Sequence, residues 1–299
     1  MKGTKYIWMD GKFVAWKRAK VHVLTHALHY GSGVFEGIRC YETEGGVAIF
    51  RLGEHVDRLY YSASRLKIKI PYPKWRFTKA IIETVKKNRL KEGYIRPLCY
   101  YGYGNMGLPV EGAPVNCSIA VWPWPKYLKP VVRVKASKFI RIHPKSTYAD
   151  AKICGHYVNS ILASIEAKGS GYDEALLLDY KGNVAEGPGE NFFIVKNNQL
   201  STPPLGTILK GITRDSIIRI ARDQRIPIQE RPLKLRDVLK ADEAFFCGTA
   251  AEVTGIDSIN RKRFGMAAPG PMTTKLRDTY IDIVHGRNNK YRRWLSYVS

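Results

Sequence analysis

Long apolar runs and paired cysteines are both missing from this sequence. No apolar segment approaches the length that spans a membrane, and the N-terminal MKGTKYIWMDGKF lacks the continuous apolar stretch of a signal peptide. The five cysteines are an odd number, widely spread and without a CxxC pair, which argues against a disulfide framework. We therefore expect a cytoplasmic protein with reduced thiols and no membrane partner.

Acidic residues are scarce relative to basic ones. The chain has 49 Lys+Arg against 26 Asp+Glu, a formal net charge of +23. Such a surplus attracts phosphate groups, anionic metabolites or nucleic acid. The basic residues are scattered in short groups, however, and no zinc-finger spacing, basic-zipper pattern or RNP-type strand accompanies them. A nucleic-acid-binding protein is kept as the alternative from a different class, and small anionic ligands are favoured over it.

The pattern of turns and helices predicts an α+β protein of two domains. Hairpins are predicted at Asp10-Gly11 and Gly45-Gly46, and amphipathic helices at about 53–66 and 271–285. Three prolines within eight residues, at 123–130, disfavour regular structure and predict the domain boundary. We place an N-terminal domain at 1–126, a linker at 127–132 and a C-terminal domain at 133–299.

One further helix is predicted from its apolar residues. Val158, Ile161, Leu162 and Ile165 share one helical face, and the helix is expected to end near Gly169.

Two motif matches do not carry the chemistry that they suggest. Gly102, Gly104 and Gly107 spell G-x-G-x-x-G after a predicted strand, but the following LPVEGAP cannot form the helix that a dinucleotide site requires. Cys154 and His156 are too close for the usual zinc-ligand spacing and have no second pair. We predict neither a dinucleotide site nor a metal site.

Three other segments have both a functional and an ordinary interpretation. AEGPGEN (185–191) is a glycine-rich turn with two carboxylates, KGITR (210–214) precedes a helix whose N-terminus suits a phosphate, and FCGTAA (246–251) ends a strand in small residues. Taken singly, each is explained equally well as a surface turn, a helix cap or tight packing.

Seven segments in order resemble the branched-chain aminotransferases, pyridoxal-phosphate (PLP) enzymes of fold type IV. They are HALHYGSGVFEGIRCY (26–41), EHVDRL (54–59), YIRP (94–97), AKICGHYVNS (151–160), AEGPGENFF (185–193), KGITRD (210–215) and CGTAAEVT (247–254). The resemblance extends from about Tyr6 to Lys275. It implies the two-domain α+β fold of type IV with the active site at the domain interface, and a homo-oligomer that is at least a dimer.

The resemblance also implies the residues that hold PLP. Lys152, in the C-terminal domain, matches the Schiff-base lysine that also transfers the proton between substrate and cofactor. Glu186 matches the partner of the pyridinium nitrogen, Tyr157 the hydroxyl near the phenolic oxygen, and Arg58 the phosphate arginine. The other cofactor-binding positions that it implies are Leu209, Gly211, Ile212, Thr213, Gly248 and Thr249.

Substrate contacts are implied in the same way. Tyr94 and Arg96 would supply polar contacts to carboxylates, and Leu108 is expected to approach the neighbouring subunit's site. Apolar walls are expected from Tyr30, Phe35, Trp124, Tyr127 and Tyr157, and further substrate contacts from Thr249 and Ala250.

The reaction that the resemblance implies is transamination between L-leucine, L-isoleucine or L-valine and 2-oxoglutarate, by ping-pong half-reactions. A D-amino-acid aminotransferase or an aminodeoxychorismate lyase of the same fold is the nearest alternative. Two positions depart from the family pattern. His156 stands where Asn is expected, close enough to Lys152 to affect pH dependence, and Lys210 stands where Pro is common.

Overall fold

Two compact units make up the chain. The computed structural model describes residues 3–124 and 128–298. The first unit comprises residues 3–124, 151–156 and 283–298, and the second comprises 128–150 and 157–282. Each unit contains a β-sheet with helices, so the α+β prediction is confirmed.

The assignment of two segments differs from the sequence-based boundaries. Residues 151–156, which carry Lys152, belong to the first unit, although the sequence placed this lysine in the C-terminal domain. The end of the chain, 283–298, also returns to the first unit. Both differences arise from pairing with distant strands, as a bridge between Val34 and Ile153 illustrates. Proline content marks where a linker runs, but it does not reveal such returns.

The first unit is built on an antiparallel sheet. Its strands are β1 (Tyr6–Met9), β2 (Lys12–Ala15), β3 (Gly33–Phe35), β4 (Ile38–Thr43), β5 (Gly46–Phe50), β6 (Gly93–Tyr101) and β7 (Val115–Trp122). They pair in the order β5-β4-β6-β7-β1-β2, and β3 pairs with β6. Both predicted hairpins are present, and positive φ at Asp10 (45°) and Gly11 (91°) forms the first turn.

Helices cover this sheet through regular apolar faces. They are α1 (His26–Tyr30), α2 (Leu52–Arg65) and α3 (Lys74–Lys87). On α2, Leu52, Val56, Leu59 and Ala63 are buried at helical spacing, as predicted. They join β3, β4, β6 and β7 side chains in one hydrophobic core.

The second unit has its own sheet of mixed direction. Its strands are β8 (Val131–Ile140), β9 (Glu174–Leu178), β10 (Asn191–Lys196), β11 (Gln199–Thr202), β12 (Ile228–Glu230), β13 (Glu243–Gly248), β14 (Glu252–Ile259) and β15 (Lys262–Arg263). The order is β12-β11-β10-β13-β14-β8-β9, and β15 pairs with β14. The last strand of the chain, β16 (Leu295–Tyr297), pairs with β5 of the first sheet.

Central strands of the second sheet are buried on both faces. Phe192 and Phe246 are cross-strand partners with ring centroids 5.9 Å apart, while Phe193 and Phe245 stack at 5.0 Å on the other face. Consecutive aromatic residues are therefore accommodated because successive side chains of a strand point to opposite faces.

The remaining helices belong mainly to the second unit. They are α4 (Tyr157–Gly169), α5 (Ile212–Asp223), α6 (Leu235–Val238) and α7 (Pro271–Val284). Short 3-10 turns occur at Trp16–Arg18, Cys154–His156 and Asn289–Trp294. Across the described ranges, every helix is too short or too polar to traverse a bilayer.

The apolar face of α4 is exposed. Val158 is 60%, Ile161 55%, Leu162 42% and Ile165 63% accessible to solvent. The helix instead turns its small residues Ser160, Ala163 and Ala167 inward, and it packs on β8 and β9. A stripe of large aliphatic side chains therefore lies on the surface of the second unit.

We expect Ile81→Ala to destabilise the first unit by about 2–5 kcal/mol, because Ile81 of α3 is fully buried in its core and truncation leaves a cavity. Lys79→Ala on the same helix is the matched control, since Lys79 is exposed and should change stability by no more than about 0.5 kcal/mol. Urea denaturation followed by tryptophan fluorescence measures both. Equal midpoints for the two variants would contradict the assigned core.

Candidate active site

Lys152 lies in an extended segment held by three backbone contacts. Its amide N donates to Ser62 Oγ at 2.9 Å, and its carbonyl accepts from Phe35 N at 3.2 Å. The next residue, Ile153, bridges to Val34 of β3. The segment thus behaves as a short added strand, and its backbone is fixed on the first unit.

Two glycines allow this segment to lie close to α1. Gly155 N donates to Gly31 O at 3.1 Å, and a Cβ at Gly31 would lie 2.7 Å from Gly155 Cα. Gly31 also has a φ of 62°, in the left-handed region. Glycine is therefore required at position 31, and the backbone of Gly155 is what a side chain there would strike.

The amine of Lys152 is in a setting that disfavours its charge. Its Nζ lies 4.9 Å from the centroid of the Phe35 ring. Burial, followed by the positive charge of Arg58, lowers the pKa of Lys152 from 10.5 to about 8, against the opposing effect of Glu36. With a pKa of about 8, about a tenth of this amine is neutral at pH 7, far more than for an ordinary lysine, and the neutral amine is the form that a nucleophile or base requires.

Arg58 is held by a buried carboxylate. Its Nε and Nη2 lie 2.6 and 2.8 Å from the two oxygens of Glu36, and His55 Nδ1 lies 2.7 Å from Glu36 Oε2. Burial alone would raise the pKa of the Glu36 carboxyl, but Arg58 and His55 hold it well below its usual range. Burial in turn lowers the pKa of His55, although Glu36 opposes this. The cluster is therefore an arginine–carboxylate ion pair beside a neutral imidazole.

Aromatic rings surround Arg96 in the same unit. Its guanidinium carbon lies 4.7 Å from the ring centroid of Phe35, 5.1 Å from that of Tyr94 and 6.0 Å from that of Trp122. Tyr94 packs in turn on Trp124, with ring centroids 4.7 Å apart. Arg96 Nε is buried without a hydrogen-bond partner among the described residues. Four of the predicted substrate residues, Phe35, Tyr94, Arg96 and Trp124, thus come together.

Glu186 occupies a hydrogen-bonded site in the second unit. Its Oε1 lies 2.6 Å from Arg141 Nε, its Oε2 accepts from Asn191 Nδ2 at 3.0 Å, and Leu209 N lies 3.2 Å from each oxygen. Only 4% of Glu186 is exposed. This acid is therefore not one of the solvated carboxylates of a surface turn, and the predicted residue Leu209 contacts it directly.

Small residues allow the loops of the second unit to approach each other. A Cβ at Gly211 would collide with Asn191 Oδ1, and one at Gly248 would lie 3.2 Å from Gly189 O. Ile212 and Thr213 are buried in the first turn of α5, and the N-terminus of a helix is the end that favours an anion. Thr249 and Ala250 directly follow β13 and are half-buried. The phosphate-binding role of these residues stays a prediction.

Three further predicted residues are partly or largely exposed to solvent. Tyr157 begins α4 and is half-buried. Tyr30 is 46% exposed and donates its hydroxyl to Met106 O at 2.9 Å, and Leu108 is 78% exposed. Tyr127 lies outside the described residues.

Several residues of these clusters were not identified from the sequence. Glu36 and His55 lie within motifs that pointed to the family, but neither was given a role. Trp122 and Arg141 lie outside those motifs, and only the structure brings them to Arg96 and Glu186. Within the described parts of the chain, no cluster of His, Cys, Asp and Glu side chains has the arrangement of a metal site.

Comparison with known proteins identifies the family. The family model for class IV aminotransferases matches residues 33–259. The chain belongs to the class IV aminotransferases. The branched-chain-amino-acid aminotransferase of Pseudomonas aeruginosa is 43% identical to it over 98% of this chain and 97% of that protein. The resemblance inferred from the seven segments is confirmed.

Solved structures of class IV aminotransferases share this fold over the whole chain. A branched-chain aminotransferase of Thermoproteus uzoniensis, crystallised with norvaline, superimposes with a TM-score of 0.96 at 43% identity and covers 99% of this chain and 100% of its own. The T.th. branched-chain amino acid aminotransferase, complexed with N-(5'-phosphopyridoxyl)-L-glutamate, gives a TM-score of 0.96 at 44% identity and covers 99% of both chains. The predicted type IV fold is confirmed.

We expect Lys152 to react with a small amine-acylating reagent with half-maximal rate near pH 8, because the pKa of its amine is lowered to about 8. Exposed lysines, with an ordinary pKa of about 10.4, should react at higher pH. Arg58→Gln should move the Lys152 midpoint upward, since it removes the second cause of the lowered pKa.

Arg65→Gln is the control for this experiment, because Arg65 is an exposed arginine at the end of the same helix. Peptide mass spectrometry, with each lysine normalised to its plateau at high pH, measures the midpoints. A Lys152 midpoint equal to that of the exposed lysines would contradict the assigned environment.

Proposed function

We propose that this chain is a PLP-dependent branched-chain amino-acid aminotransferase, which exchanges the amino group between L-leucine, L-isoleucine or L-valine and 2-oxoglutarate. The observation that carries the proposal is the state of Lys152, an amine with a lowered pKa on a rigid segment next to Arg58. An exposed lysine of ordinary pKa would be almost fully charged at neutral pH and a poor nucleophile. The full-length similarity to branched-chain aminotransferases supports the substrate class.

The residues present suit the chemical groups of PLP. A phosphate requires cationic and N–H donors, and Arg58 and the first turn of α5, with Ile212 and Thr213, provide both. A protonated ring nitrogen requires a carboxylate, which Glu186 provides in buried form. We assign Lys152 as the residue that attaches the cofactor and Tyr157 as a donor to its phenolic oxygen.

When bound, PLP supplies an aldehyde that takes up the amino group and a ring that delocalises the negative charge developing at the substrate Cα. Lys152 Nζ would hold the cofactor through its aldehyde carbon until the amine of the substrate takes its place there, and the released Nζ would be the base that removes the Cα proton. Glu186, held by its hydrogen bonds, would keep the ring nitrogen protonated. The two substrates would use this one site in turn, so we expect ping-pong kinetics.

The cluster around Arg96 suits both substrates of such a reaction. Phe35, Tyr94 and Trp124 present apolar ring surfaces that match a branched aliphatic side chain. Arg96 lies among these rings, with a buried Nε that has no partner in the described parts of the chain, and it can pair with the second carboxylate of glutamate. The complex of the T.th. enzyme with N-(5'-phosphopyridoxyl)-L-glutamate supports glutamate as the shared amino donor.

We expect the PLP-loaded protein to convert L-leucine and 2-oxoglutarate to L-glutamate, and each half-reaction to change the absorption of the cofactor. Lys152→Ala should lower the turnover number by at least about 10²–10⁴-fold, because the proton-transfer group is lost. Lys168→Ala, an exposed lysine on the neighbouring α4, is the control and should leave turnover unchanged.

Single half-reactions with L-leucine, L-valine, L-glutamate and D-alanine rank the substrates. Turnover of D-alanine without L-leucine would replace the proposal by a D-amino-acid aminotransferase. A chain that PLP cannot load would contradict the proposal altogether.

We further propose that the enzyme is a homo-oligomer. Two exposed apolar surfaces support this, of which one is the α4 stripe (Val158, Ile161, Leu162 and Ile165). The other belongs to the first unit and contains Val21, Val23, Leu24, Leu28, Tyr30, Tyr103, Met106 and Leu108. Large apolar side chains grouped in this way are typical of subunit contacts. A second copy of the chain has the same apolar surfaces, so two copies can cover them in a symmetric contact.

We expect Ile161→Glu to lower the molecular mass in solution, because it places a charge at the centre of the α4 stripe. Lys168→Glu adds a carboxylate on the same helix outside the stripe and should leave the mass unchanged. Light scattering coupled to gel filtration measures both. A monomeric parent protein, or an Ile161→Glu variant of parental mass, would contradict the use of this stripe.

A further inference from the structure

Arg141 is tied to Glu186 by the shortest contact in the second-unit cluster. Its Nε lies 2.6 Å from Glu186 Oε1, and the side chains are only 9% and 6% exposed. A carboxylate so far from water is costly unless it is paired. Asn191 and Leu209 supply hydrogen bonds to Glu186, whereas Arg141 supplies it with a positive charge.

The backbones of both residues are fixed by the same strand. Arg141 N donates to Leu178 O at 2.7 Å, and Leu177 N donates to Glu186 O at 2.9 Å. Leu177 and Leu178 are consecutive residues of β9, so the backbones of Arg141 and Glu186 are both hydrogen-bonded to the same strand. Their separation is thus set by the sheet.

Hydrogen bonding of Arg141 itself is incomplete. Its Nη1 is buried and has no partner within residues 3–124 and 128–298. A buried arginine that only stabilises the packing is expected to have partners for all its N–H groups. In Arg141 the Nε has Glu186 as its partner, while Nη1 has none.

We propose that Arg141 is a positioning residue for the reaction, which acts through Glu186 on the ring nitrogen of the cofactor. This inference rests on the proposed function. Arg141 compensates the buried carboxylate of Glu186 and fixes its direction before the cofactor binds. Its positive charge also limits how strongly Glu186 holds the proton of the ring nitrogen, so that the arginine adjusts the electron demand of the ring without contacting the reacting atoms.

The test compares how two ligands bind to the apoprotein. One is PLP, and the other is its analogue with carbon in place of the ring nitrogen. The analogue has no ring N–H and cannot pair with the carboxylate of Glu186. Arg141→Gln should weaken PLP binding by at least about tenfold, as loss of a partner that orients a ligand-binding side chain commonly does. The same substitution should change binding of the analogue by less than about threefold. Arg133→Gln, on β8 and exposed, is the control and should affect neither ligand.

A double variant separates positioning from folding. Glu186→Gln combined with Arg141→Gln should bind PLP no more weakly than Glu186→Gln alone, since Arg141 acts through that carboxylate. The double variant leaves no unpaired charge, so it is expected to fold even if circular dichroism shows that Arg141→Gln is unfolded. Its PLP affinity can then still be compared with that of Glu186→Gln.

Three results would overturn the inference. The first is an unchanged PLP affinity in Arg141→Gln, and the second is an equal loss for PLP and the analogue. The third is a double variant that binds PLP more weakly than Glu186→Gln alone. Failure of the parent protein to bind PLP would instead contradict the proposed function, so the two failures are distinguishable.

Discussion

The carboxylate of Glu36 is fully buried, and the environment of the candidate catalytic lysine depends on how that charge is paired. Arg58 occupies both oxygens, and His55 supplies a further hydrogen bond. An unpaired carboxylate at this depth would take up a proton or disrupt the core. Paired, it fixes the guanidinium of Arg58. Burial is the main cause of the lowered pKa of Lys152, and the charge of Arg58 is the second cause, which Glu36 opposes. The ion pair therefore adjusts the pKa of an amine on another segment of the same unit.

Local elements were predictable because their determinants are local. The Asp10-Gly11 hairpin follows from turn chemistry, and α2 follows from the spacing of its apolar residues. The family was also predictable, since its motifs occur in order along the chain. Gly31 and Gly155 show the limit of this approach. Each is part of a motif, but only the folded chain shows that their backbones are in contact and that a side chain at position 31 would collide with Gly155.

Features that depend on distant pairing were not predictable. The segment 151–156 belongs to the first unit because Ile153 pairs with Val34, a contact that leaves no trace in periodicity or composition. The apolar stripe on α4 was predicted as one helical face. Its spacing does not show whether that face is buried in the core or exposed to solvent, as it is here. Arg141 was one basic residue among 49 Lys+Arg, and its role emerges only from its distance to Glu186.

The same device occurs in both units. Glu36 with Arg58 and Glu186 with Arg141 are buried carboxylates, each 2.6 Å from an arginine Nε. In each unit, the side chain that we propose as a ligand of PLP is therefore already compensated in charge and fixed in direction. Preorganisation of this kind removes the reorganisation that water would require when charge develops. It also means that neither arginine nor carboxylate should be interpreted alone, because the free energy of each charge in the protein depends on its partner.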